Sequence, residues 1–193
     1  MKIIIKCQII ILIFILIAGC SDNPSDAHEE DEPKDEHNAG ESSFEVNGEV
    51  EGKMTGNSEI VIVVEELPLT GELRYVLRLG IFDDKRVADR EFRIGIGVEL
   101  QNEVIPVTVF ELGEWEIVGG TADYTHINKD LIGTDYRTIE GYGGELEITE
   151  FDGNTATGSF EFSAATFREG TPFGEITVTE GIFIAPVVVV EDL

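Results

Sequence analysis

From Phe44 onward the chain alternates apolar and polar residues with a period of two. Phe44, Val46, Val50 and Met54 alternate with Glu45, Asn47, Glu49 and Lys53. Leu73, Tyr75, Leu77, Leu79 and Ile81 alternate with Arg74, Arg78 and Gly80, and Phe92, Ile94, Ile96, Val98 and Leu100 with Arg93, Gly95, Gly97 and Glu99. A helix would spread these apolar residues around its circumference, whereas a strand places them on one face. Further strands are expected at Glu59 to Glu66, Ile105 to Phe110, Glu114 to Val118, Glu145 to Phe151, Thr155 to Ala164 and Glu175 to Ile184. Ile60 to Val64 is apolar on both faces and reads as a central strand. The alternation of Ile176 and Val178 breaks at Gly181, which predicts a bulge. No capped stretch of helical period is present, and Asp83 to Glu91 is expected to form one turn at most.

Asp152-Gly153-Asn154 lies between two alternating runs and reads as a hairpin turn, because these residues tolerate the positive φ that such a turn requires. Pro68 to Gly71 and Gly170 to Gly174 are further turns. About eight to ten short strands joined in this way imply a single antiparallel β-sandwich or β-barrel domain over residues 43–193. Periodicity leaves sandwich and barrel equally open.

The segment before the domain has a different physics. Lys2 and Lys6 precede an apolar run from Ile9 to Ala18, and the run ends Ile17-Ala18-Gly19-Cys20. A charged start, an apolar middle and a small-residue cleavage site are the parts of an export signal. The apolar run is shorter than the roughly 20 residues of a membrane-spanning helix. Ile17-Ala18-Gly19-Cys20 resembles the lipobox of bacterial lipoprotein signals. That resemblance implies a signal peptide over residues 1–19, lipidation of Cys20, and a lipid-anchored protein at the membrane of the cell envelope, on the periplasmic or surface-facing side of the outer membrane. Residues 20–42, rich in Asp and Glu with Pro24 and Pro33, are then an acidic disordered linker. The linker has too little apolar surface to offset the entropy of ordering, and its like charges extend it.

The C-terminal half carries a second resemblance. Gly144 to Asp152, Thr157 to Ala164 and Val178 to Phe183 read in outline as G-x-L-x-I-T, then G-x-F-x-F, then V-T-x-G-x-F. This pattern is similar to a family of uncharacterised bacterial envelope lipoproteins, each with a lipobox, a polar linker and one small all-β domain of unknown function. The motif covers about a quarter of the chain and consists of glycines and core aromatics, so it implies a fold. The family brings no activity and no catalytic residues.

Charge and residue inventory exclude several classes. The chain has 13 Lys and Arg against 39 Asp and Glu, a formal net charge of −26. Such a surface repels nucleic acid and anionic headgroups. With Cys7 in the leader and Cys20 lipidated, the domain has no cysteine for a disulfide, a thiolate metal site or a nucleophile. His126 is its single histidine, and no serine stands in a G-x-S-x-G setting. Gly95 and Gly97 lack the third glycine and following helix of a phosphate cradle. Asp152-Gly153-Asn154 has too few ligands for calcium. No catalytic residue, metal or cofactor is expected. Glu145 and Glu147, and Glu111, Glu114 and Glu116, are close in sequence, but outward strand positions in water account for them without a cleft.

The most unusual segment is Gly119 to Gly144, glycine-rich and polar, with Tyr124, Tyr136, Tyr142 and Arg137, and with Trp115 just before it. Aromatics with hydrogen-bonding side chains on a loop suit a carbohydrate, peptide or protein ligand. These five residues are the expected contact residues if a ligand site exists. The expected function is a lipid-anchored, non-enzymatic binding or structural surface module. A carbohydrate-active enzyme with paired carboxylates, or a lipocalin-like carrier of a small apolar ligand, is the alternative.

Overall fold

The computed structural model describes residues 40–83, 91–127, 133–168 and 171–192. The signal segment, Cys20, the linker up to residue 39, most of the Asp83 to Glu91 stretch and Gly170 lie outside the described residues. The strands are β1 (Gly40–Gly48), β2 (Gly52–Glu66), β3 (Leu73–Phe82), β4 (Phe92–Leu100), β5 (Val109–Leu112), β6 (Gly120–Ile127), β7 (Gly133–Arg137), β8 (Gly144–Phe151), β9 (Thr155–Arg168) and β10 (Thr171–Asp192), with one helical turn, α1 (Trp115–Val118).

All ten strands belong to one sheet, and the sheet closes on itself. Hydrogen-bonded neighbours run from β2 through β3, β4, β6, β7, β9 and β10 back to β2. The all-β expectation is therefore met, in the form of a barrel. Two features make closure possible. β1 wedges between the first parts of β10 and β2, antiparallel to both. Beyond that wedge Val187 to Asp192 pairs with Ile60 to Glu65 in parallel, the one departure from antiparallel pairing among the described residues. On the opposite side β9 is flanked by β8 along its first half and meets β7 only at Ala165, while β5 extends the sheet beyond β8.

Period-two alternation fills the interior. Ile60, Ile62, Leu77, Leu79, Ile94 and Ile96 point inward and are buried. Phe44 stands edge-on to Phe92 at 5.2 Å between ring centroids and 6.0 Å from Phe160. The three motif glycines each face a motif phenylalanine across a strand pair: Gly144 opposite Phe162, Gly158 opposite Phe183, and Gly181 opposite Phe160. A Cβ on Gly181 would lie 2.6 Å from the Phe160 ring, so glycine there leaves the volume that the ring occupies. The expected bulge is present, with a register shift between Val178 and Gly181 and a positive φ of 53° at Glu180. Asp152 closes the β8–β9 hairpin by accepting from the N–H groups of Asn154 and Thr155, both at 2.8 Å, and those bonds hold its carboxyl below the usual aspartate range.

Three expectations need correction. Phe44 to Met54 is two strands, split at Gly48 and Gly52, both at positive φ. Ile105 to Phe110 is strand only from Val109: Pro106 cannot donate to a ladder, Ile105 serves as a buried anchor, and Val107 and Thr108 form a bend. Glu114 to Val118 forms the turn α1 instead of a strand. The Gly113 N–H donates to the Gly120 carbonyl at 2.9 Å, so the residues between them must double back, and Gly119 ends the turn in the left-handed conformation.

Candidate functional site

With the interior filled, a broad concavity lies on the outer face of β2, β3, β4 and β6. Strand register builds it. One transverse row reads Glu59, Gly80, Gly95, Asp123, and the next reads Val61, Arg78, Gly97, Thr121. Two adjacent glycines in the first row and one in the second remove the side chains that would otherwise cover the sheet. The result is a groove of about 780 Å³. Half-buried Val61 and Val63 form one wall, and Asp123 and Trp115 the other. Both walls lean over the floor. A Cβ on Gly95 would come within 2.7 Å of Asp123 Oδ1, one on Gly80 within 3.6 Å of Glu59 Cγ, and one on Gly97 within 3.6 Å of Trp115 Cζ3.

Three arginines meet in this groove on a chain of strongly negative charge. Arg78 Nη2 donates to Glu65 Oε1 at 3.2 Å, Arg93 Nη2 lies 3.5 Å from Asp123 Oδ2, and Arg74 Nε lies 3.9 Å from Glu99 Oε1. The Arg74 guanidinium also sits 4.9 Å from the centre of the Trp115 ring, a cation–π contact that fixes both side chains. Arg74 Nε is buried and has no hydrogen-bond partner among the described residues. These pairs are partly solvated, so their value lies in placing donors and acceptors and not in stability.

Burial raises the Asp123 carboxyl above its ordinary 3.8, and the nearby Arg93 only partly offsets this. As pH falls through that raised value, the folded protein takes up a proton before the unfolded chain does. This group therefore adds stability in acid that is absent at neutral pH. Asp123→Asn removes the titration. The melting temperature of wild type relative to this variant should climb from neutral pH to below the ordinary aspartate range, and a constant difference would contradict the burial argument.

The expected contact residues divide. Trp115 borders the groove. It also lines, with Arg137, Thr121 and Glu140, a second hollow of about 480 Å³. Arg137 is exposed there, 3.9 Å from Asp135. The tyrosines are not on this surface. Tyr124 and Tyr136 are directly paired in the β6–β7 hairpin on the inward face, 0% and 3% exposed, with ring centroids 6.1 Å apart. The Tyr136 hydroxyl donates to Glu49 Oε2 at 3.2 Å, while burial of the Tyr124 hydroxyl, which has no partner among the described residues, pushes its pKa strongly upward. Tyr142 lies elsewhere, half-buried, donating to Glu175 Oε1 at 2.6 Å. The three tyrosines therefore share no concavity: what reads as an irregular loop is a hairpin whose alternation turns Ala122 and Tyr124 inward.

Among the described residues no group of three or more His, Cys, Asp or Glu is placed to hold a metal ion. Glu145 and Glu111 face each other across the β8–β5 pair, exposed to solvent, and line a separate open hollow of about 690 Å³ with Glu114, Glu140 and Glu161. Sequence reasoning missed Arg74, Arg78, Arg93, Glu59 and Asp123. Their signal was the sharing of outward positions by arginine and glycine, as in Arg78-x-Gly80 and Arg93-x-Gly95-x-Gly97.

Comparison with known proteins brings no match: no family model, no curated protein and no solved structure matches this chain.

Proposed function

We propose that the chain is a lipid-anchored protein of the bacterial cell envelope whose β-domain is a non-enzymatic binding module, working through the groove across β2, β3, β4 and β6. The observation that carries this reading is the glycine-floored groove itself, bordered by Trp115 and furnished with three arginines and three carboxylates. The packed interior supports it as well. Phe44, Phe92, Phe160 and Phe183 occupy the space in which a lipocalin-like carrier holds its ligand.

Two measurements test the reading. Cys20→Ala should release the protein from the membrane fraction or leave it uncleaved, and should abolish fatty-acid labelling. Lipid contributes about 0.8 kcal/mol per buried CH₂ to anchoring. Undiminished labelling of the variant contradicts the anchor. Trp115 is the one tryptophan of the chain, so its emission reports occupancy of the groove. Emission indifferent to every ligand that the protein binds contradicts the groove.

One observation favours hydrolysis as a second reading. Glu59 and Asp123 lean over paired glycines from opposite walls, and the raised Asp123 carboxyl is suited to general-acid work on a glycosidic bond. Release of new reducing ends by wild type, lost in Asp123→Asn, would select that reading over simple binding.

A further inference from the structure

We infer that the groove takes an uncharged oligosaccharide, lying along β3 and reaching the Trp115 ring. This deepens the binding-module reading and rests on it. The argument proceeds from the chemistry of the walls. A lipid or apolar peptide would need a continuous apolar lining, yet the small patch of Val61, Val63 and Val76 is flanked by Glu59, Glu65, Arg74 and Arg78. A polyanion would meet Glu59, Glu65 and Asp123 set among the arginines, on a chain whose net charge is −26. A polycation would meet three guanidinium groups. What remains is a neutral molecule with many groups that both donate and accept.

Hydroxyl groups have that property, and the groove is arranged for them. Each arginine offers five N–H donors in a fixed fork and meets a single carboxylate among the described residues, so donors remain. Each carboxylate in turn has lone pairs to spare. An arginine beside a carboxylate therefore presents donor and acceptor side by side, the arrangement that a pair of neighbouring hydroxyls satisfies in full. Arg74 Nε, buried and without a hydrogen-bond partner, is a donor already removed from water.

Spacing argues for a chain of sugars over a single one. Arg74 and Arg78 stand on the same face of β3, about 13 Å apart at the usual strand rise. Arg93 continues the series on β4, at the level of Phe82. The glycine floor between Arg78 and Arg93 lets a flat ring approach the backbone, and Trp115, held by Arg74, supplies an aromatic surface at the other end.

The test uses the full lipidated chain in a detergent without sugar headgroups. Trp115 emission is followed while neutral hexasaccharides of glucose, mannose, xylose or N-acetylglucosamine are added, with a hexuronate and a lysine-rich peptide as comparators. At least one neutral hexasaccharide should shift the emission saturably. Arg78→Ala should weaken that response about tenfold or more, as expected for loss of a charge-assisted hydrogen bond, with the melting temperature unchanged. Arg78→Lys should restore little, since an ammonium lacks the fork. No response to any neutral hexasaccharide overturns the inference. A response to the hexuronate or the peptide alone, weakened by Arg78→Ala, overturns the saccharide class and leaves the groove reading standing. Calorimetric binding of a neutral hexasaccharide with Trp115 emission and the Arg78→Ala affinity unmoved overturns the groove reading as well.

Discussion

Gly158→Val is expected to leave no stably folded domain, a loss of about 4 kcal/mol or more that belongs to the exceptional class of single substitutions. Gly158 lies in mid-strand in β9 and faces inward. A Cβ there would stand 2.0 Å from the Glu147 carbonyl oxygen of β8 and 2.7 Å from Cζ of Phe183 on β10. The ring has some freedom to turn, but the carbonyl is part of the β8–β9 ladder and does not. Relief therefore means separating β8 from β9, which withdraws Leu146 and Ile148 from the interior. Circular dichroism and a denaturant titration measure this directly. A cooperative transition at the wild-type midpoint would show that the two strands are farther apart than described.

Phe160→Ala is expected to cost about 3–5 kcal/mol, the range for emptying a buried aromatic site. The Phe160 ring is 6.0 Å from that of Phe44 and 6.4 Å from that of Phe183, and it fills the space beside Gly181 at the bulge. Strands β1, β9 and β10 lose a shared contact when it is removed. The denaturant midpoint should fall while the slope of the transition stays close to that of wild type, since the surface exposed on unfolding hardly changes. A variant as stable as wild type would mean that the ring does not lie in the core.

These two positions also show how far the fold was legible. Phe160 and Phe162 declare themselves by alternation, and so do the paired runs of β3 and β4. Gly158 and Gly181 were visible as glycines of a repeated pattern, but their reason was not. Each makes room for a ring on a neighbouring strand, and that neighbour is known only once register is known. Closure of the sheet was hidden for the same cause. Val187 to Asp192 meets Ile60 to Glu65 across more than a hundred residues of chain, and no local feature of either run points to the other. Ile60 to Val64 did signal a strand buried on both faces. Its outer valines, Val61 and Val63, turn out to line the groove.

The site was less legible than the fold. Polarity misled in the segment from Gly119 to Gly144, because Asp123 and Thr125 point outward while Tyr124 between them points inward, and a mixed composition hides that alternation. The groove residues come from four strands, at positions 59, 78, 93 to 97 and 123, and only the ladder brings them into two transverse rows. Trp115 was singled out from composition, yet its position depends on α1, a turn enforced by the bond between Gly113 and Gly120 and invisible to periodicity.

The central claim is that the sheet closes, so that its interior is filled and a ligand is met on the outside. Inter-strand nuclear Overhauser effects between Val188–Val190 and Val61–Val63 test it most directly. Closure predicts backbone contacts of the parallel pattern, Val189 opposite Ile62, with amide protons that resist exchange. Rapid exchange of those amides with no such contacts would mean an open sheet between β10 and β2 and would contradict the account.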